Sequence, residues 1–329
     1  MKPKFISVIG SLNTDLVTTT ARLPLGGETL TATSFFTGLG GKGANQAVAC
    51  ARLSQPNPST GLQPKIFKNV NVKMIGAVGA DEFGPRMKSS MALDGVDISS
   101  VEVKNGQTTG VAVIIVEEST GENRILLNPG ANNTLMPDQF EQVSSLGIPL
   151  PDIIILQLEI PLATVLQIIK IAKNAGVEVI LNPAPAAILP AEAYKNLSHL
   201  ILNESEASIL TGRSLSEVSH VDFDWKVVIM EFLAKGVQNV IITLGARGAF
   251  FASNTTDEVS VKHMPAFKVN KVVDTTAAGD TFVGAYALGI VRGEKNKEEV
   301  IRYACLTAAR TIEKRGAQNS IPWSDEIDR

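Results

Sequence analysis

Apolar and polar positions divide the chain into two kinds of region. After residue 150, short and nearly continuous apolar runs such as DIIIL, VEVIL, HLIL and NVIITL alternate with helical segments such as LATVLQIIKIAKNAG. This alternation predicts a parallel sheet covered by helices on both faces. Two more apolar runs, Phe5–Leu12 and the segment VKMIGAVG, predict further strands. The fold class is therefore α/β, a doubly wound and mostly parallel sheet flanked by helices.

A different pattern occupies two separate excursions, at about residues 14–37 and 106–128. In both of them apolar residues alternate with polar ones, which predicts strands with one exposed face. The second excursion has two alternating runs about a turn near Thr120 and Gly121, which predicts a hairpin. We expect the two excursions to pair as a small antiparallel sheet that stands off the core as a lid, within one domain spanning residues 1–329.

Composition excludes several classes of function. The chain has 329 residues, of which 44% are hydrophobic and 19% charged, with a net charge of −3. No basic excess is present to neutralise a nucleic-acid backbone, and the apolar runs are too short to span a bilayer. The start of the chain turns polar after one strand's length, unlike a secretory signal. The two cysteines, Cys50 and Cys305, lie far apart in helical patterns, so we expect buried thiols in a reducing, cytoplasmic compartment.

The run GLGGKGANQA leaves more than one interpretation open. It matches the G-x-G-x-x-G fingerprint of dinucleotide sites, but that fingerprint follows the first strand directly, whereas here about 25 residues intervene. A phosphate-binding P-loop would have Ser or Thr after Lys42, where Gly43 stands. What remains is a plain turn before a helix, or a loop that lets a ligand lie against the backbone. Lys42 and Asn45, with Asn13 and Asp15 of GSLNTD, supply groups that suit the vicinal hydroxyls of a sugar.

The segment VVDTTAAGDTFVGA leads small residues into a helix whose first turn contains Asp280. The backbone N–H groups of Ala277, Ala278 and Gly279 would be free at the helix start, with the positive end of the helix dipole behind them. Such a position suits an anion hole for a transferring phosphoryl group, with a carboxylate placed to accept a hydroxyl proton. Taken alone, the segment fits equally well an acid that only stabilises its helix.

Together, GGKGANQA and DTTAAGDTFVGA resemble the two signatures of the ribokinase-like (phosphofructokinase-B) carbohydrate kinases. The resemblance covers essentially the whole chain, since GSLNTD, PLGGET, TTGVA, NPGAN, LQLEIP, LNPAP, NESEA, TLGARG and KRGAQNSIPW follow in the family's order. It implies a ribokinase-like fold and ATP-dependent phosphorylation of a sugar, with D-ribose and its 5-hydroxyl as the best match. The alternatives are another sugar or nucleoside kinase of the family, or a non-catalytic sugar-binding sensor.

The resemblance also implies roles for individual residues, with Asp280 as the catalytic base and Ala277, Ala278 and Gly279 as the anion hole. The implied sugar-binding residues are Asn13, Asp15, Gly41, Lys42, Gly43, Asn45, Glu159 and Asp280. The implied ATP-binding residues are Asn203, Thr243, Gly245, Gly248, Gly279 and Cys305. Asn203 with Glu206 also fits a helix capping box, and Cys305 equally fits plain helix packing.

Two ions are implied as cofactors beside ATP. Glu206 would act on Mg²⁺ through water. A monovalent cation, K⁺, would be bound largely through carbonyl oxygens, with side-chain oxygens only from Asp274 and Ser320. The implied residues are Asp274, Thr276, Thr311, Lys314, Gly316 and Ser320. The lid would close over the sugar and pair with a second lid in a homodimer. Two segments, Ser54–Asn69 and Glu217–Trp225, are longer than the family pattern, and the sequence assigns them no function.

Overall fold

The fold is known from a computed structural model that describes residues 2–62, 70–120, 122–254 and 259–327. Gly121 of the predicted hairpin turn and residues 63–69 of the long segment Ser54–Asn69 lie outside the described residues. Among the described residues, no helix is both long enough and apolar enough to cross a membrane.

The strands of the described residues cover the predicted runs and add three that the sequence patterns did not predict, at Val96–Lys104, Ala249–Ser253 and Lys262–Met264. In chain order they are β1 (Lys4–Ile9), β2 (Asn13–Thr20), β3 (Ser34–Gly40), β4 (Val70–Gly79), β5 (Val96–Lys104), β6 (Gly110–Glu117), β7 (Asn123–Asn128), β8 (Ile153–Leu156), β9 (Glu178–Leu181), β10 (His199–Asn203), β11 (Asn239–Thr243), β12 (Ala249–Ser253) and β13 (Lys262–Met264).

The helices of the described residues include those predicted from the sequence and several shorter ones. In chain order they are α1 (Lys42–Ser54), α2 (Phe83–Leu93), α3 (Leu162–Asn174), α4 (Ala191–Lys195), α5 (Glu204–Thr211), α6 (Leu215–Val218), α7 (Trp225–Ala234), α8 (Ala278–Val291), α9 (Lys297–Thr311) and α10 (Ser324–Ile327).

The large sheet has the order β13-β12-β11-β10-β9-β8-β1-β4-β5. In this sheet the seven neighbouring strands β11, β10, β9, β8, β1, β4 and β5 are parallel to one another. At the other end, β12 pairs antiparallel with β11, and β13 pairs antiparallel with β12. Residues next to each other on a strand point to opposite faces of this sheet, and each face has its own apolar core. On β8, for example, Ile153 and Ile155 belong to one core, and Ile154 and Leu156 to the other. The predicted α/β class is confirmed.

The small sheet has the order β3-β2-β6-β7, with β3 and β7 at its edges. The two hairpin pairs are antiparallel as expected, but β2 and β6 pair in parallel, from Asn13 with Gly110 to Thr20 with Glu117. The prediction of a purely antiparallel sheet is therefore wrong. Both excursions leave the main body at the same edge, so their first strands run outward side by side. In the first excursion the second strand, β3, begins at Ser34.

Close packing of α1 against α8 positions the residues discussed below. Gly284 of α8 lies against Ala49 and Cys50 of α1, where an added Cβ would come within 2.6 Å of the Ala49 side chain. The Cys50 thiol donates a hydrogen bond of 3.6 Å to the Gly284 carbonyl oxygen. Because small residues let the two helices approach, their N-terminal ends, with Lys42 and Asp280, come together at one edge of the large sheet.

Candidate active site

A cleft opens where the carboxyl ends of the parallel strands meet the start of α8. Open α/β sheets bind ligands at this edge. A cavity of about 200 Å³ lies here, and both halves of the sequence contribute to it. The predicted residues that line it are Lys42, Asn203, Glu206, Thr243, Ala277, Gly279 and Asp280. Residues separated by more than 230 positions in the chain therefore face one space.

The Asp280 carboxylate lies in the first turn of α8 and is held by two side-chain amides. Asn45 Nδ2 donates to Oδ2 and Gln46 Nε2 donates to Oδ1, each at 2.9 Å. Only 7% of Asp280 is exposed. The predicted neighbour Asn45 is thus in direct contact with it, with its own Oδ1 left without a protein partner among the described residues. Gln46, in contrast, was not among the predicted site residues, although it stands in the quoted run GGKGANQA.

Glu159 joins the predicted sugar-binding segments. Its Oε2 accepts hydrogen bonds from Ser11 Oγ at 2.6 Å, Asn13 Nδ2 at 3.2 Å and the Lys42 backbone N–H at 3.0 Å. Gly43 fits beneath this cluster only because it lacks a side chain, since an added Cβ would lie 2.6 Å from the Ser11 backbone nitrogen. The Glu159 carboxylate thus holds the turn after β1 against the start of α1. Gly41, the residue before α1, has a φ of 88°.

Asp15, on β2 of the small sheet, is the least compensated acid of the site. Burial first, and then the negative charges of Glu159 and Asp280, raise the pKa of Asp15 to about 7. Lys42 acts in the opposite direction but does not cancel them. Burial acts to lower the pKa of the Lys42 ammonium, but the nearby carboxylates outweigh it, and that pKa stands above its ordinary value. An excess of buried negative charge therefore surrounds one lysine.

The start of α8 leaves backbone N–H groups unpaired within the described part of the chain, with one difference from the prediction. Ala277 is in the left-handed conformation, with φ 61° and ψ 5°, and precedes the first helical residue. The Ala278 N–H is not free, because it donates to the Thr275 carbonyl at 3.3 Å. For the Ala277 and Gly279 N–H groups, no acceptor lies among the described residues. The predicted set of three free amides is thus reduced to two.

Asn203 and Glu206 form the capping box that the sequence allowed. Asn203 Oδ1 accepts from the Glu206 N–H at 2.9 Å, and Glu206 Oε2 accepts from the Asn203 N–H at 2.8 Å. Burial raises the pKa of Glu206 to about 7, against the hydrogen bond from Asn203 and the charge of Lys42. Thr243 ends β11 beside this box, and a short 3₁₀ turn at Gly245–Arg247 leads to Gly248. The side chains of Asn203 and Glu206 therefore have a structural role and also face the cavity.

The predicted monovalent-cation residues occupy two adjacent segments. Asp274 accepts from the Thr276 N–H at 2.9 Å, from Thr276 Oγ1 at 2.6 Å and from the Gly316 N–H at 2.9 Å. The Thr311 carbonyl accepts from the Lys314 N–H at 3.1 Å, and Ser320 Oγ donates to the Ala317 carbonyl at 2.7 Å. Burial acts to raise the pKa of Asp274, but these hydrogen bonds outweigh it and hold that pKa below its ordinary value.

Cys305 does not line the cavity. It is buried on α9 within the apolar core shared by α1, α8 and α9, and burial raises the pKa of its thiol to about 11. Packing is therefore what the structure supports for this residue. Within the described ranges, no group of three or more His, Cys, Asp or Glu residues is arranged to hold a metal ion.

Fold and cleft together define a doubly wound α/β protein with a polar ligand site at the carboxyl edge of its sheet. A family model described as "pfkB family carbohydrate kinase" matches residues 3–324. The chain therefore belongs to the pfkB family of carbohydrate kinases and is an enzyme of that class, which confirms the resemblance noted in the sequence.

Individual relatives are similar over their full length. The chain is 43% identical over 326 residues to a ribokinase of Schizosaccharomyces pombe, a match covering 98% of this chain and 96% of the relative. It is 36% identical over 324 residues to a deoxyribokinase of Salmonella typhi, covering 98% and 97%. The solved structure of Arabidopsis thaliana ribokinase complexed with ribose and ATP has a TM-score of 0.81 and 30% identity, covering 99% of this chain and 98% of that one.

Proposed function

We propose that the enzyme transfers the γ-phosphoryl group of ATP to the 5-hydroxyl of D-ribose. The observation that carries this proposal is the position of Asp280, a carboxylate beside the free amides of the α8 start and in the same cavity as Lys42. The similarity to ribokinases, including one complexed with ribose and ATP, supports the choice of substrates.

Asp280 acts as the general base in this proposal. Both of its oxygens are held by amides, so the carboxylate cannot rotate away from the cavity, and each oxygen keeps a further lone pair. The sugar hydroxyl gives its proton to this carboxylate while its oxygen attacks the γ-phosphorus in line. Asn13, Asp15, Lys42 and Asn45 orient the sugar, since their amide, carboxylate and ammonium groups can all bond to hydroxyls.

The transferring phosphoryl group lies against the start of α8. The Ala277 and Gly279 N–H groups donate to its oxygens, helped by the helix dipole. Asn203 is near the phosphates of ATP, and the turn of Thr243, Gly245 and Gly248 borders the nucleotide. This arrangement needs little covalent chemistry from the protein, because phosphoryl transfer depends mainly on positioning and charge stabilisation.

The carboxylates that line the cavity are suited to a Mg²⁺ ion whose main ligands are the phosphate oxygens of ATP. Mg²⁺ keeps several waters and commonly binds through one or two carboxylates plus phosphate oxygens. Glu206 is the carboxylate available on the phosphate side, and both of its oxygens already accept hydrogen bonds from Asn203. Glu206 would therefore hold the ion through water. When bound, Mg²⁺ supplies positive charge that offsets the charge on the phosphates.

A K⁺ site between the segments 274–276 and 311–320 also fits the donors present. Asp274 has accepted three hydrogen bonds and keeps a lone pair, and the hydroxyl of Ser320 donates its hydrogen and leaves its oxygen free to coordinate. The remaining donors would be carbonyl oxygens. Bound there, K⁺ would order the segment leading into α8.

The small sheet acts as a lid over the sugar in this proposal and also pairs two subunits. Its edge strand β7 exposes Ile125, Leu126 and Leu127, with Leu126 68% accessible, and β3 exposes Phe35. Exposed apolar strands need a cover. Leu126→Lys should therefore shift the mass measured by light scattering from dimer to monomer. A cytoplasmic location agrees with the two free, buried cysteines.

A coupled ADP-release assay tests the proposed reaction, with D-ribose, 2-deoxy-D-ribose, D-fructose and adenosine as acceptors, each with and without K⁺. We expect the highest kcat/KM for D-ribose, a product phosphorylated at the 5-oxygen by NMR, and higher activity with K⁺. Similarity to a deoxyribokinase makes 2-deoxyribose the second candidate. If kcat/KM is higher for 2-deoxyribose than for D-ribose, 2-deoxyribose is the substrate instead. If no acceptor causes ADP release, the proposed reaction is refuted.

A further inference from the structure

Behind Asp280 lies a set of buried side-chain amides that the proposed reaction does not use. Gln46 and Gln157 have no exposed surface, and Asn182, which is partly buried, lies beside them and also lines the cavity. Gln157 follows β8, Asn182 follows β9, and Gln46 stands in the second turn of α1. We call these three residues the amide network. Three separate elements therefore bring uncharged polar groups to the back of one carboxylate.

The bonding pattern fixes the direction of each amide. Gln46 Nε2 donates to Asp280 Oδ1 at 2.9 Å and to Asn182 Oδ1 at 3.1 Å, so both of its hydrogens are used. Gln46 Oε1 accepts from Gln157 Nε2 at 2.6 Å. Asn182 is oriented in turn by its own donation to the Ile201 carbonyl at 3.0 Å. A flipped Gln46 would set its oxygen against two acceptors and its NH₂ against another NH₂.

Gln157 has a feature that purely structural packing does not explain. Its Oε1 is buried and has no hydrogen-bond partner among the described residues. A buried amide oxygen left unpaired costs about 1–3 kcal/mol. Gly10, at the end of β1, makes room for it, since an added Cβ there would lie 2.0 Å from that oxygen. The Gln157 side chain is therefore oriented with its NH₂ toward Gln46 and its oxygen toward Gly10.

We propose that Gln46, oriented by Gln157 and Asn182, is a positioning residue that holds Asp280 at the angle needed to take the hydroxyl proton. The inference rests on the proposed function of Asp280. Gln46 is buried behind the carboxylate, so its effect is on turnover and not on binding of sugar or ATP. Gln157 donates to Gln46 and not to Asp280, so it acts only through Gln46. A base displaced by a fraction of an ångström loses much of its effect.

The test uses Gln46→Met and Gln157→Met in the full chain, with Gln167→Met as the matched control. Gln167, on α3, donates to the Phe140 carbonyl at 3.1 Å, away from the cleft. We expect kcat to fall about 10–100-fold for Gln46→Met and about 3–10-fold for Gln157→Met, with KM for both substrates within about threefold of the parent. The control should keep kcat within about twofold.

A second arm asks whether Gln46 acts through Asp280. Adding Gln46→Met to Asp280→Asn should cause almost no further loss, with product followed by mass spectrometry over long incubations. An equal loss in both backgrounds, or a kcat for Gln46→Met equal to that of the control, overturns the inference. Should Gln46→Met fail to fold, Gln157→Met decides, because it leaves both donors to Asp280 in place; an unchanged kcat then overturns the inference. High activity of Asp280→Asn would instead refute the base assignment itself.

Discussion

The two groups of residues proposed to bind the sugar and the phosphoryl group are built by different means. One is built from side chains, and we call it the side-chain group: Ser11, Asn13, Asp15, Lys42 and Glu159. The other is built from main-chain amides, and we call it the backbone group: Ala277, Ala278 and Gly279. In the side-chain group, the single carboxylate of Glu159 accepts three hydrogen bonds. The backbone group depends instead on the left-handed backbone conformation of Ala277 at the start of α8.

This difference matches the chemistry of the two proposed ligands. A sugar presents hydroxyls that both donate and accept, so it needs side chains of several kinds in fixed positions. A phosphoryl group presents only acceptors, so amides and a helix dipole suffice. Changes in side-chain chemistry should therefore affect the first group, and changes in backbone geometry or space should affect the second. Asp280 lies between the two groups, and its function should depend on the chemical nature of its side chain and not on backbone geometry.

The largest effect is expected for Asp280→Asn. The amide is nearly isosteric but cannot accept the hydroxyl proton, so kcat should fall by about 10²–10⁴-fold. Calorimetry should still detect sugar and ATP binding of near-parental affinity. Turnover within about threefold of the parent would show that the carboxylate is not the base and that the backbone group alone carries the reaction.

The next effect separates the groups by space rather than charge. Gly279 lines the cavity, and an added Cβ there meets nothing within 4 Å, whereas at Gly43 it would meet backbone atoms at 2.6 Å. Gly279→Ala should fold as well as the parent, or be stabilised by up to about 1 kcal/mol through helix propensity. Its kcat/KM should nevertheless fall about 10²-fold, because the methyl enters the phosphoryl position.

Gly43→Ala is the counterpart and should act in the opposite way. Its methyl has no room, so the midpoint of chemical denaturation should drop. A Gly279→Ala enzyme with unchanged kinetics would mean that no phosphoryl group approaches the start of α8.

Sequence patterns predicted the fold well where a pattern is local. Apolar runs identify the strands and helices of the large sheet, because each element must bury one face or both. The pairing of β2 with β6 is different, since these strands belong to excursions almost a hundred residues apart. Their direction depends on where each excursion leaves the body, and neither segment encodes that alone. The antiparallel expectation failed for this reason.

The site shows the same division. Residues within the quoted motifs were predicted, because glycine runs and a first-turn acid point to particular chemistry. Ser11, Gln46 and Gln157 lie in the same motifs but were missed, since their partners are 148, 234 and 111 positions away in the chain. Hydrogen bonds over such separations exist only in the folded sheet. The occupied Ala278 amide was missed because it depends on the local turn at Thr275.

Asp15→Asn tests the side-chain group in two ways. Losing a charged acceptor should raise KM for the sugar about 10–100-fold with little change in KM for ATP. Stability should change too, because a folded-state pKa of about 7 stands above the ordinary value of 3.8. The folded protein then binds more protons than the unfolded chain between about pH 4 and pH 7, so its stability falls as pH rises through that window.

The Asp15→Asn protein lacks this loss and should be more stable than the parent above pH 7, by up to a few kcal/mol, since one pKa unit is worth about 1.4 kcal/mol. Its advantage should shrink as the pH approaches 4. Urea denaturation at pH 5 and pH 8 measures both. A variant less stable than the parent at pH 8 would contradict the excess of buried negative charge.

The smallest effect is expected for Ala277→Gly, which tests whether the backbone group needs any side chain. Ala277 is the only non-glycine residue with positive φ among the described residues. The left-handed conformation costs alanine about 1–2 kcal/mol, and glycine avoids that cost but gains freedom in the unfolded chain. The free energy of unfolding should therefore rise by at most about 1 kcal/mol.

The Ala277 carbonyl accepts from the Thr281 N–H at 2.8 Å and from Thr281 Oγ1 at 2.9 Å, which holds the peptide bond between Ala277 and Ala278. Glycine also adopts the φ of 61° readily, so the direction of the preceding Ala277 N–H should survive this change. We therefore expect kcat within about threefold of the parent, measured beside the denaturation midpoint. If kcat instead falls more than tenfold while stability rises, the methyl group restrains the amide. In that case the backbone group also depends on a side chain, the Ala277 methyl group. The two groups would then differ in how many side chains they need and not in whether they need any.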